Sequence, residues 1–233
     1  ARHAFADGAF LVSLAPLGAH VLVVPSIAAA LGVKERGGEP LLATLRAALR
    51  DRQLLLLLDN FEHLLAAAPL AAELLAAAPR LTVLATSRSP LRLSGEREFP
   101  VLPLAVPDPR RPPSLEGLTQ YAAVRLFVER AQGVQPDFTV TNDNALPVAV
   151  ICRRLGGLAI ELAAARVRAL SPAQIAARLD DRFRLLTGGS RAAPPHQRTL
   201  RATIDWSHDL LTESERVALR RLAAFAGGWT LEA

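Results

Sequence analysis

The stretch LLLLLDNFEH, residues 54–63, decides how the first half of the chain is read. Leucines run straight into Asp59 with no polar alternation, which suits a strand buried on both faces of a parallel sheet. Periodicity alone does not separate such a strand from a buried helical segment; the short length and the Asp59-Asn60 stop favour the strand. An acid closing that strand lies at its carboxyl end, and in an open parallel sheet ligands sit beyond the carboxyl ends. A carboxylate there can hold Mg²⁺ directly or through water. It can equally cap the next helix, because Asp is a good N-cap residue. The stretch by itself leaves both readings open.

Working outward, FLVSL (residues 10–14) reads as a second strand, and 21–31 as an Ala-rich helix stopped by Gly32. Gly37-Gly38 make a turn before Pro40, which opens a helix with Leu41, Leu42, Leu45 and Leu49 on one face. Beyond the leucine run, HLLAAAP and ELLAAAP recur ten residues apart. Pro69, lacking an N–H, begins a new helical turn and Pro79 closes the helix. LTVLAT (81–86) predicts a further strand, and EFPVL (98–102) a last short one at an edge, given Pro100. Strands alternating with helices point to an α/β fold built on a parallel sheet. Residues 105–117 are Pro-rich and predict a linker. Helices follow over 121–131, 145–155, 158–169 and 172–179, then a second linker over 190–197. Residues 199–211 predict a helix, and Thr212 with Glu215 a capping box for a last one, running to about Phe225 and ending at Gly227-Gly228.

Composition narrows the classes. The formal charge is +5 over 233 residues, but positive and negative residues are interleaved, and Lys34 is the single lysine. This is weak support for a nucleic-acid stripe. Cys152 is alone, so the chain has no internal disulfide, and the scattered histidines make no zinc spacing. No apolar run reaches the about 18–20 residues of a membrane span. With no initiator Met and no secretory pattern at its start, the sequence is expected to be an excised piece of a longer cytosolic protein.

Thr86 and Arg88 stand just past the third predicted strand, in ATSRSP. If that strand neighbours the leucine strand, both residues emerge near Asp59. A hydroxyl there can polarise water, and a guanidinium can read a terminal phosphate through charge-assisted hydrogen bonds. The competing reading of Arg88 is a solvated loop residue. His63 reads as a first-turn surface residue, Cys152, Trp206 and Trp229 as core, and Arg216, Arg220 and Arg221 as a solvated helix face.

The order LLLLLDNFEHLLAAAP, LTVLATSRSPLRLSGEREFPVLPL, FVERA, ICRRL, AIELAAARVRALSP, LLTGGSR and QRTLRATIDWSHDLLTESERVALRRLAAFAGGWTLEA closely resembles the STAND-class, NB-ARC-like ATPase module of bacterial transcription regulators of the LuxR and AfsR/SARP type. The resemblance covers nearly the whole chain. It implies an incomplete P-loop NTPase-type sheet over 1–108, an all-α helical lid over 109–190 and the start of a winged helix over 191–233. It implies that Asp59 binds Mg²⁺ and that Arg88 senses the terminal phosphate of ATP. Asp59 and Arg88 are the candidate catalytic residues, Asp59, Thr86 and Arg88 the candidate cofactor-binding residues, and Asp59 the candidate metal ligand. The implied cofactors are ATP or ADP with Mg²⁺. The implied partners are the nucleotide, further copies of the protein, and DNA through other domains; no membrane is implied.

The chain departs from the family pattern at several points. It has no GxxxxGK[ST]: Lys34 lies in GVKERGG. The amide cradle and lysine for the phosphates are therefore expected upstream of residue 1. The family's GLPLAIELAAAR reads GGLAIELAAAR here, so a Pro-Leu pair is missing beside Gly156-Gly157-Leu158. Two missing residues turn the following helix face by about 160°, which either the preceding loop absorbs or the adenine contact does not survive. The winged helix stops after its early helices, without the downstream His motif. Asn60 stands where related ATPases often carry a second acid, and an amide is a poor general base, so slow hydrolysis is expected. The expectation is a nucleotide-dependent switch whose isolated 233 residues bind ATP poorly. Its rival is a degenerate, non-enzymatic protein-interaction or DNA-binding module.

Overall fold

The leucine run is a strand. In a computed structural model of the chain, which describes residues 4–35, 37–108, 114–189 and 193–225, it forms β2 (Leu55–Asp59). β2 is the centre of a parallel sheet of order β1-β2-β3, with β1 at Ala9–Ser13 and β3 at Thr82–Ala85. Helices α1 (Val23–Ala30) and α2 (Leu41–Leu49) connect β1 to β2, and α3 (Ala68–Ala77) connects β2 to β3. Pro40 occupies the N-cap of α2, Pro69 lies in the first turn of α3, and Gly32, at φ +66°, follows α1. Each is where its missing N–H or its left-handed backbone is tolerated.

The sheet has unequal faces. Leu54, Leu56 and Leu58 are buried in one core with Val12, Leu14, Ile27, Leu45, Leu49 and Leu74. The expected burial on both sides of β2 does not hold: Leu55 and Leu57 are only half-buried. Across the other face Leu11, Leu57 and Leu84 stand side by side in register, and Leu11 is 65% and Leu84 52% exposed. The predicted edge strand at 98–102 also fails. No described strand includes those residues, and Phe99 and Val101 are 87% and 88% exposed. Pro100 has no N–H to offer a ladder, and an apolar residue at every second position does not by itself supply a neighbour.

The chain divides into two compact units, Ala1–Pro100 and Val101–Ala233. The regular elements of the second, among its described residues, include α4 (Leu115–Leu118), α5 (Ala122–Gln132), α6 (Ala145–Arg154), α7 (Gly157–Ala164), α8 (Pro172–Ala177), α9 (Arg182–Leu185), α10 (Leu200–Asp209) and α11 (Glu213–Leu222), with no strand. α4 starts inside the stretch expected to be a linker, because Ser114 caps it by accepting the Gly117 N–H. α5, α6 and α7 enclose Val124, Phe127, Ile151, Cys152 and Ile160, and Phe138 meets Phe127 edge to face at 5.8 Å. Burial pushes the Cys152 thiol up to about 12. α8 and α11 both begin with complete capping boxes, Ser171 with Gln174 and Thr212 with Glu215. Trp206, expected in the core, is half-buried and stacks on His196 at 4.6 Å. Trp229 and Gly227-Gly228 lie outside the described residues.

Candidate functional site

The sheet register sets the candidate site. Ser13 pairs with Asp59, and because Leu58 pairs with Ala85, the next residue, Thr86, falls beside Asp59. Backbone bonds continue past the strands: Leu14 N–H donates to the Asp59 carbonyl at 2.9 Å, Thr86 N–H to Leu58 at 3.0 Å, and Phe61 N–H to Thr86 at 2.9 Å. Ser13, Asp59 and Thr86 are thus fixed side by side at the carboxyl edge.

Side-chain bonds tighten this. The Thr86 hydroxyl donates to Asp59 Oδ1 at 2.6 Å and accepts the Asn60 N–H at 2.9 Å. Asn60 is in the left-handed region, φ +65°, which reverses the chain immediately after Asp59. Asn allows this more readily than most residues, because its short polar side chain tolerates αL. The one-turn 3₁₀ helix Phe61–His63 follows, with Asn60 at its N-cap and no side-chain cap bond. Asp59 therefore does not cap that turn, and its carboxylate is turned to Thr86 instead.

Arg88 sits close by. Its Nε lies 3.4 Å from Oε1 of Glu62, whose side chain is only 11% exposed while that of Arg88 is 55% exposed. Glu62 was not singled out from the sequence. Its place three residues after Asp59 was a signal only once the αL turn at Asn60 was known. His63 is half-buried rather than on the surface, with Nε2 at 3.0 Å from the Leu17 carbonyl oxygen. It ties the segment after β1 to the segment after β2. Beyond Arg88 the loop closes on Glu96, whose carboxylate accepts the N–H groups of Leu91 and Leu93 at 2.9 and 3.1 Å. Those two backbone bonds hold its carboxyl below the ordinary range.

The Asp59 carboxylate is a hard oxygen donor of the type Mg²⁺ takes, Ser13 stands beside it in register, and the Thr86 hydroxyl is engaged by Asp59 and Asn60. Among the described residues no group of three or more His, Cys, Asp or Glu side chains could hold a metal. A Mg²⁺ ion at this edge would therefore be held through Asp59 and take most of its other ligands from water and substrate phosphates. Lys34 is exposed beyond α1, outside this edge.

In the helical unit, Gly156 is the extended N-cap of α7, and a Cβ there or at Gly157 would meet nothing within 4 Å. α7 buries Ala159, Ile160, Leu162, Ala163 and Ala164. Arg166 donates to the Leu185 carbonyl at 2.9 Å and the Thr187 carbonyl at 2.6 Å, and also bonds the Thr187 hydroxyl, so it is a structural clamp. Arg216 donates to the carbonyls of His208 and Asp209, and Arg220 pairs with Glu213 at 3.0 Å. Among the described residues no helix is long and apolar enough to cross a membrane.

The class so defined is an α/β unit with a carboxylate and hydroxyls at the carboxyl edge of its sheet, and a helical unit after it. No family model matches the chain. It is 49% identical, over 230 residues and 97% of its length, to a Mycobacterium tuberculosis protein named "Putative HTH-type transcriptional regulator" and to its Mycobacterium bovis counterpart. It is 42% identical over 233 residues to an uncharacterized protein of Mycobacterium tuberculosis. The chain spans 25% of the length of the former relatives and 56% of the latter.

Proposed function

We propose that the chain is part of an ATP/ADP-dependent switch of the STAND, NB-ARC-like kind, working within a regulator of transcription. The observation that carries this is the Thr86–Asp59 hydrogen bond at the carboxyl edge, with Arg88 held nearby by Glu62. The relatives' name brings transcription into the proposal. In this reading residues 1–108 are part of the nucleotide-binding domain, 109–190 the helical lid and 191–233 the early part of a winged helix.

Asp59 would hold Mg²⁺, which supplies charge compensation for the nucleotide phosphates when bound. Arg88 would read the terminal phosphate by exchanging its Glu62 partner for phosphate oxygens, a charge-assisted pairing of the same geometry. Asn60 points its backbone N–H at Thr86 and brings no carboxylate. A general base is thus missing from the position after Asp59, and hydrolysis is slow. Nucleotide state, rather than turnover, then sets whether lid and winged helix are docked, and docking controls self-assembly and DNA binding by other domains.

Calorimetry tests this. The complete gene product should bind ADP or ATP with Mg²⁺ dependence, whereas the 233 residues alone, whose sequence has no GxxxxGK[ST], should bind ATP poorly. Micromolar, Mg²⁺-dependent affinity in the 233-residue chain would contradict the second expectation. No Mg²⁺-dependent binding in the complete product would contradict the first. The altered Gly156-Gly157-Leu158 stretch favours a second reading, a degenerate interaction or DNA-binding module. Salt-dependent shifting of random duplex DNA by the chain would support it.

A further inference from the structure

The Thr86 hydroxyl has one proton, and the structure shows where it goes. It is donated to Asp59 Oδ1, while the oxygen accepts the Asn60 N–H. Thr86 is also held at both backbone ends, its N–H by Leu58 and its carbonyl by Phe61. A hydroxyl so engaged is poorly placed to polarise a water molecule, the role its position first suggested. It does something else: it makes the two oxygens of Asp59 unequal. Oδ1 is satisfied by Thr86, whereas Oδ2 makes no hydrogen bond to any described residue. A short bond from O–H to a carboxylate is of the strong, orienting kind.

We infer that Thr86 is the positioning residue of the strand-edge carboxylate: it fixes the rotamer of Asp59 through Oδ1 and the αL turn through Asn60, so that Oδ2 is the oxygen presented to a divalent cation. The inference rests on the nucleotide-switch reading and deepens it. It separates Thr86 from Asp59 in role, since Asp59 touches the cation and Thr86 acts through Asp59. It also requires a hydroxyl at residue 86 rather than mere bulk, so Ser serves and Val does not.

The test uses the complete gene product with ADP, measured by calorimetry with Mg²⁺ and with chelator, for the unsubstituted protein, Thr86→Val and Thr86→Ser. Thr86 is exposed and Val has nearly its shape, so the fold tolerates the change, which a far-UV melt checks. Thr86→Val should lose about tenfold or more of the Mg²⁺-dependent gain in affinity, the size expected for one hydrogen bond to a charged group. Thr86→Ser should keep the gain. Retention of the gain by Thr86→Val overturns the inference and leaves the switch standing. Absence of any Mg²⁺-dependent gain in the unsubstituted protein overturns both. A second readout needs no nucleotide: amide exchange at Asn60 in the 233-residue chain should quicken in Thr86→Val and not in Thr86→Ser. Equal exchange in all three chains also overturns it.

Discussion

The sheet unit and the helical unit solve burial differently. Around α5, α6 and α7 the helical unit closes on itself, with Phe127, Ile151 and Ile160 fully buried. The sheet unit covers one face with α1, α2 and α3 and leaves Leu11, Leu57 and Leu84 aligned on the other. Parallel sheets are normally covered on both faces. The difference teaches that burial is distributed unequally along the chain. The closed core carries its own packing, while the half-covered sheet carries a polar edge set by register and by one hydroxyl.

The largest expected effect probes the closed core. Phe127→Ala should lower the unfolding free energy by about 3–5 kcal/mol, whereas Leu11→Ser on the bare face should stay within about 0.5 kcal/mol, both read from urea titrations. A large loss for Leu11→Ser would show that its face is covered in the native protein and would break the contrast. Next comes Gly189→Ala. A Cβ there would meet the Arg198 carbonyl oxygen at 2.8 Å, and the Gly189 N–H already donates to that oxygen at 2.7 Å. Backbone must shift, at a cost of about 1–3 kcal/mol, visible as a lowered melting temperature.

A smaller effect belongs to the α11 cap. Thr212→Ala should cost about 1 kcal/mol. The Thr212 N–H and hydroxyl both donate to Glu215, at 2.7 and 2.8 Å, and these bonds hold its carboxyl below the usual 4.5. The ionised form is the one the fold favours. Its contribution is therefore complete above the unfolded value and is lost as the pH falls through the lower, folded value. Far-UV circular dichroism should show α11 fraying in that acid range in the parent, and already at neutral pH in Thr212→Ala. Least perturbing is chemical labelling: Cys152, fully buried with its thiol pushed up to about 12, should resist iodoacetamide at neutral pH until the helical unit unfolds.

Much of this contrast could be read from the residues, for definite reasons. β2 and its terminal Asp59 were legible because an apolar run stops abruptly at Asp-Asn. α5 to α8 were legible as helical stretches, and α11 from its Thr212–Glu215 capping box. The bare face was not, since consecutive leucines look the same on either side of a strand. The edge strand at 98–102 was misread because apolar spacing carries no information about a neighbouring ladder. At the site, the proximity of Thr86 and Arg88 to Asp59 followed once adjacent strands were assumed. Glu62 and His63 did not follow. Their placement depends on the left-handed turn at Asn60, which folds the segment back so that His63 reaches Leu17 and Glu62 reaches Arg88.

The central claim is that Asp59 is a cation-holding carboxylate rather than a cap or a solvated acid. Its most direct test is ADP binding by the complete gene product, titrated with and without Mg²⁺, in the parent and in Asp59→Asn. The account predicts that Asp59→Asn abolishes the Mg²⁺-dependent gain while metal-free binding persists. An undiminished Mg²⁺-dependent gain in Asp59→Asn would contradict it.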